Sequence, residues 1–277
     1  MGYKRSVIFA LGVLVVLLPA CARPADARWA RDASRWGRSA ASRPFTPLSV
    51  PGCGMWLDAA RGVSYNSGFL VGSWDDRSPR NNDATGVSDA TKPLWLEAGL
   101  SGKPTVRFDG NDDYLTAHSA AALLTGNDTP FTLLTVLALD TGAPEAGFAG
   151  ATDNETGYIL QKAFRRQNGK IRYKAKDNSD TKEVVGATDY LTIAQVVSFV
   201  NTGAVCSLYQ NSAPIGSGDA NIAAVALNYF WIGKTYGTSS SYFKGVIAQL
   251  LVYDRTLSDA QRERVERYLK RRYGIAS

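Results

Sequence analysis

The sequence predicts an all-β protein, a two-sheet antiparallel sandwich closed by one C-terminal helix. Three observations carry this. From Gly54 onward, short runs rich in Val, Ile, Leu, Phe, Tyr and Thr alternate with gaps rich in Gly, Asn, Asp and Ser. Two gaps, QNGK at 167–170 and NTGA at 201–204, put Asn or Gly where tight hairpins need positive φ. No helical pattern separates the strand runs, so neighbours pair antiparallel without crossovers.

The elements follow in order. Residues 1–21 read as a signal peptide: MGYKR is a short basic start and residues 6–20 are an apolar run too short for a membrane span. The run ends at LPAC, which resembles a bacterial lipobox with Cys21 as the lipidated residue. Cleavage after Ala22 or Ala27 is the alternative, and both readings export the protein to the envelope or beyond. Arg23, Arg28 and Arg31, just past the run, oppose export. Residues 22–50 have no sustained apolar period and read as a basic, flexible tether. Residues 51–277 read as the folded domain. Charge follows this division: residues 1–50 hold eight Lys/Arg and two Asp, whereas 51–277 carry 23 of each sign. The chain's net charge of +6 therefore says little about the domain's partner, and no nucleic-acid partner is expected.

Within the domain the strand runs are 54–60, 105–110, 130–140, 158–164, 170–176, 193–200, 204–210, 228–234 and 243–254. The last element is a helix. Ser258 caps it with Gln261 three residues on, Val265, Tyr268, Leu269 and Tyr273 share a face, and Gly274 stops it. Its Arg and Lys side chains fall mostly on the opposite, solvated face, towards the C-terminal end. Cys53 and Cys206 are two further thiols. They can pair in an oxidising compartment or remain buried and free, and the sequence leaves both open.

Four segments carry a resemblance: MWLDAA, WDDRSPRNNDAT, GLSGKPTVRFDGNDDYL and FKGVIAQLLVYDRTLSDAQRERVERYLKRRYGI. In this order they resemble the laminin G-like branch of the concanavalin A-like lectin/glucanase superfamily, in its bacterial and phage form, over residues 54–275. The resemblance implies a jelly-roll order for the sandwich and a strand-then-helix ending. It does not select a function, since lectins, adhesion modules, hydrolases and lyases share the fold. Two departures stand out: Gln249 replaces a glutamate common in the family, and YQNSAPIG replaces a Y-x-N-G turn.

For chemistry, FDGNDDYL offers Asp109, Asn111 and Asp113 as weak ligands for Ca2+. It is not an EF-hand, because Tyr114 stands at the required glycine and Ala120 at the required glutamate. The simpler reading is an Asx-rich turn between strands. No E-x-D-x-x-E glucanase string occurs, Asp153 and Glu155 lie in a turn sequence, and Asp75 and Asp76 would face opposite ways in a strand. His118 is the sole histidine and reads as a surface residue. The hairpin 162–176 holds seven basic residues and no acid. Lys170, Arg172, Lys174 and Lys176 alternate on one strand face at intervals of about 7 Å, with Arg166 joining across the turn. Such a row can track an anionic polymer or simply protect a strand from aggregation. Tyr65, Trp74, Tyr236 and Tyr242 are candidates to stack on sugar rings. The expectation is an exported, non-catalytic binding or adhesion module for a glycan or other anionic surface polymer, held to a membrane only through its lipid. A polysaccharide hydrolase or lyase, or a structural module of a surface or virion assembly, are the alternatives.

Overall fold

The structure, a computed structural model, describes residues 44–155, 160–223, 225–235 and 242–276. The signal, Cys21, most of the tether and Tyr236 lie outside the described residues. Phe45–Ser277 form one compact unit. Among the described residues no helix is long and apolar enough to cross a membrane.

Seventeen strands are described: β1 (Cys53–Asp58), β2 (Val63–Tyr65), β3 (Val71–Trp74), β4 (Ala84–Thr85), β5 (Leu94–Leu100), β6 (Lys103–Asp109), β7 (Leu115–Thr116), β8 (Phe131–Leu139) and β9 (Gly147–Thr152). After these come β10 (Gln161–Gln167), β11 (Lys170–Lys176), β12 (Thr181–Asp189), β13 (Gln195–Asn201), β14 (Val205–Gln210), β15 (Ala213–Asp219), β16 (Tyr229–Ile232) and β17 (Lys244–Tyr253), then helix α1 (Asp259–Tyr273). They make two antiparallel sheets. The eight-stranded sheet runs β15-β14-β13-β8-β17-β6-β5, with β1 also on β17; the nine-stranded sheet runs β12-β11-β10-β9-β16-β7-β4-β3-β2. The predicted jelly-roll sandwich with one C-terminal helix is the architecture found.

Each sheet is explained by what covers it. Between the sheets sits an aromatic core in which Phe164 lies 5.0 Å from Phe199 and 5.7 Å from Phe131, with Phe148 and Tyr173 alongside. The eight-stranded sheet is covered on its outer face too, because α1 packs Val265, Leu269 and Tyr273 onto Trp56, Leu134, Val136 and Leu251. This accounts for the continuous burial of β8 and of β17 after Lys244, whose sequences do not alternate because both faces are covered. The nine-stranded sheet has no helix on its outer face among the described residues, and β11 alternates half-exposed and buried residues accordingly.

The structure decides some expectations left open and corrects others. Phe45 and Pro47, read from sequence as part of the tether, contact the domain: the Phe45 ring packs edge-on to Tyr268 at 5.9 Å, and the Tyr253 hydroxyl donates to the Pro47 carbonyl at 3.1 Å. Cys53 and Cys206 are both free and buried. They lie four strands apart in one sheet, about 19 Å, and on opposite faces, Cys206 in the inter-sheet core and Cys53 in the cluster with α1. Burial pushes the Cys53 thiol up to about 12, with the Asp76 carboxylate adding to it. The helix face read as solvated is partly buried: Arg262, Glu266 and Lys270 are packed inward at helical spacing. Arg262 reaches Glu266 at 2.7 Å, and the Ser198 hydroxyl donates to the other Glu266 oxygen at 2.7 Å.

Candidate functional site

The Asx-rich stretch is a corner between the layers and not a hairpin. β6 belongs to one sheet and β7 to the other, so Asp109–Asp113 carries the chain across. Gly110 sits at φ 84°, and the Asp109 carboxylate accepts from the Asn111 backbone N–H at 2.8 Å and the Asn111 side-chain N–H at 2.9 Å. The Asp113 carboxylate accepts from the Asp109 N–H at 2.8 Å. The expected ligand trio is therefore not assembled: Asn111 turns its amide donor, not its oxygen, inward. Asp112 is the third acid beside Asp109 and Asp113. Both Asp109 oxygens serve the turn. Burial, helped by the Asp109 and Asp112 charges, pushes the Asp113 carboxyl up to about 7. A cation would have to displace these internal bonds, so the residues fit a turn better than a Ca2+ cage.

The basic row lies on the outer face of the nine-stranded sheet. Lys170, Arg172, Lys174 and Lys176 are half-exposed while Ile171, Tyr173 and Ala175 enter the core. Arg166 does not join them. It pairs with Ile171, points the other way and donates to the Ala143 carbonyl at 2.8 Å. Arg165, directly opposite Arg172, takes its place. Strand β12 offsets part of this charge: Lys170 contacts Asp189 at 2.9 Å and Arg172 contacts Glu183 at 3.0 Å.

Three strands along the same face, about 14 Å away, is a group of residues the sequence reading did not assemble. The register Lys174–Ala163–Gly150–Trp231–Thr116 runs straight across β11, β10, β9, β16 and β7. Tyr229 and Trp231, two apart on β16, therefore both face outward, with rings 5.8 Å apart and nearly parallel. Ile232 and Phe230 enter the core. After β16 the chain folds back over β9, and Thr235 rests on Gly147 and Gly150. A Cβ at Gly150 would meet the Thr235 carbonyl at 2.6 Å, so glycine here is what admits the segment. That crossing places Lys234. Its ammonium lies 3.5 Å from the Tyr114 ring centre, 4.1 Å from Trp231 and 5.9 Å from Tyr242. Tyr242, a candidate from sequence, is thus at the site. Of the others, Trp74 is buried in the core, and Tyr65 stacks on Trp95 at 4.6 Å near Phe69, at a separate edge.

These groups line a cavity of about 340 Å³, bounded by Tyr114, Thr116, His118, Glu155, Trp231 and Lys234. Trp231, only 4% exposed, is its floor; Tyr114, Tyr229 and Tyr242 are half-buried and His118 is exposed at the rim. The His118 ring meets Tyr229 and Trp231 edge-on at 4.7 and 5.1 Å. Burial lowers the Lys234 ammonium to about 8, against the pull of Glu155. Burial also lowers His118, opposed by Glu155 and helped by Lys234. The lysine is a fixed cation with little water around it, held on ring faces. Among the described residues no hydrogen bond links His118, Tyr114, Glu155 and Lys234, so the cavity holds cationic, aromatic and polar groups without a paired acid and base.

The solved structures similar to this chain share its sandwich. The binding domain of Paraclostridial Mosquitocidal Protein 1 superposes with a TM-score of 0.56 at 15% identity, over 79% of this chain and 52% of that one. Trypanosoma rangeli sialidase in complex with sialic acid gives 0.53 and 15%, over 83% and 35%. The Ruminococcus gnavus IT-sialidase CBM40 bound to alpha2,6 sialyllactose gives 0.50 and 14%, over 61% of this chain and all of that domain. The chain thus spans about half the length of the first and about a third of the second. No curated protein matches it. The sequence profile of the concanavalin A-like lectin/glucanases superfamily matches residues 109–261, more than half of the sequence, and the chain belongs to that superfamily.

Proposed function

We propose that this chain is a non-catalytic glycan-binding module and that it takes an acidic sugar on the outer face of the nine-stranded sheet. The observation that carries this reading is Lys234: a nearly dehydrated cation fixed among Tyr114, Trp231 and Tyr242, opening into a cavity with half-buried rings. Rings supply stacking for a sugar and the ammonium supplies a charge-assisted partner for its carboxylate. The row Arg165, Lys170, Arg172, Lys174 and Lys176 shares the face and extends it for a polymer. Sialic acid and sialyllactose in the two sialidase-derived structures are consistent with such a ligand.

A hydrolase or lyase is the second reading, favoured by Tyr114, His118 and Glu155 meeting in one cavity. The absence of a hydrogen-bonded acid–base pair among the described residues favours binding alone. A glycan array probed at low and high salt, with product analysis, separates them. The binding reading expects retention of acidic glycans, weakened by salt and lost in Lys234→Met, with no product released. Released product overturns it. We read the chain as exported and anchored through Cys21. Metabolic lipid labelling that persists in Cys21→Ser would remove the anchor.

A further inference from the structure

We propose that the outer face of α1 is a second binding surface, one that docks the protein onto an anionic phospholipid membrane. This does not rest on the glycan reading, because α1 covers the eight-stranded sheet and lies on the opposite side of the sandwich. Arg264, Arg267 and Arg271 follow one side of the helix over two turns, about 10 Å. With Phe45 and Tyr268 they line a cavity of about 290 Å³. A second cavity, about 560 Å³, shares Tyr268 and Arg271 and adds Arg61, Lys103 and Arg272. The two adjoin through Tyr268 and Arg271, six cations line them, and the acid Glu263 shares a neighbouring cavity with Arg267. Only Arg272 of the six is ion-paired among the described residues, to Asp58 at 2.9 Å.

Arg264 lies over the Phe45 ring at 4.6 Å, and that ring packs edge-on to Tyr268 at 5.9 Å. Guanidinium forks suit phosphate oxygens. Clustered cations seated on aromatic rings, with few acids between them, are the composition of a surface drawn to an anionic lipid interface. The six cations are spread over two adjoining cavities, so they suit several headgroups at once rather than one small phosphate.

The test is co-sedimentation of the full chain with phosphatidylcholine vesicles, with and without phosphatidylglycerol. Residues 1–44 are present in every variant and contribute equally. The triple variant Arg264→Ser, Arg267→Ser, Arg271→Ser is expected to lose on the order of 100-fold in affinity for the anionic vesicles. The triple Arg80→Ser, Lys92→Ser, Arg255→Ser removes the same charge elsewhere and is expected to bind as the unmodified chain does. Phe45→Ser keeps the charge and is expected to weaken binding several-fold. Unchanged circular dichroism shows that the variants fold. Equal loss in both triples, or no loss in either, overturns the proposal. So does tight binding of inorganic pyrophosphate, or of duplex DNA, without vesicle binding.

Discussion

At the scale of single residues, two positions report the conformation directly. The turn between β14 and β15 uses Asn211 at φ 51° and Ser212 at φ 79°, where Ser takes a conformation that glycine holds without strain. Ser212→Gly is expected to stabilise the domain by about 0.5–1 kcal/mol. The check is a higher urea midpoint at an unchanged m-value. Asp113 gives a pH signature. Its carboxyl rises from 3.8 to about 7 in the fold, so between those values the native state holds a proton that the unfolded chain releases. Stability is therefore full at the acid end of that window and falls as pH rises through it. Asp113→Asn keeps an oxygen for the Asp109 N–H and removes the charge. Its melting temperature should fall less than that of the unmodified protein across the window. Parallel curves for the two would show that Asp113 is not the group involved.

At the scale of elements, the legible parts were those whose sequence period matches how they are covered. The QNGK and NTGA turns form as expected, with Asn168, Gly169 and Gly203 at positive φ. Strand β11 alternates as its sequence does. Among the strands that the sequence does not predict, β2 to β5 included, β9, β12 and β15 carry many small or polar residues in GFAGAT, TKEVVGATD and APIGSGD, where neighbouring segments fill much of the space. Lys162 and Arg166 show the limit of counting charge in a hairpin. Both point inward by strand alternation, and Lys162, 1% exposed, donates to the Leu124 carbonyl at 2.7 Å. The site escaped notice for a related reason. Tyr114, His118, Trp231 and Lys234 belong to segments far apart in sequence, and only the register of β16 with β7 joins them. The single available signal was Tyr229 and Trp231 at strand spacing on one face. Gln249 is explained by its neighbours: its carbonyl oxygen accepts from the Trp56 indole at 2.9 Å and its amide donates to the Tyr273 hydroxyl at 3.3 Å, beneath α1. The helix itself carries a strong prediction. Glu266→Ala takes the shortest, fully buried partner from Arg262 and leaves it the longer contacts to Asp259 at 3.3 Å and Glu263 at 3.5 Å, so it should cost about 2–3 kcal/mol, less than a fully unpaired buried charge. Replacing both, as Arg262→Met with Glu266→Leu, should recover most of that in denaturant unfolding. A double variant as unstable as the single would mean that the pair holds no compensating charge.

At the scale of the molecule, the sandwich has two unlike outer faces. One is closed by α1, with its apolar rows buried and its arginines turned out. The other, which carries no helix among the described residues, holds the basic row and the aromatic cavity. The fold places Lys234 in that cavity through the glycines that let Thr235 lie on β9. A site of this kind tolerates neighbouring loop changes but not a larger residue under the crossing. Gly150→Val should abolish glycan binding while Lys174→Ser only weakens it, and equal effects on binding from both would remove the cavity from the account. The most direct test is calorimetric titration of sialyllactose into the full chain at pH values below and above about 8, for the unmodified protein and Lys234→Met. Binding by the unmodified protein should weaken as pH rises through that value, and the variant should bind weakly and independently of pH. Identical affinities and identical pH profiles for the two proteins would contradict it.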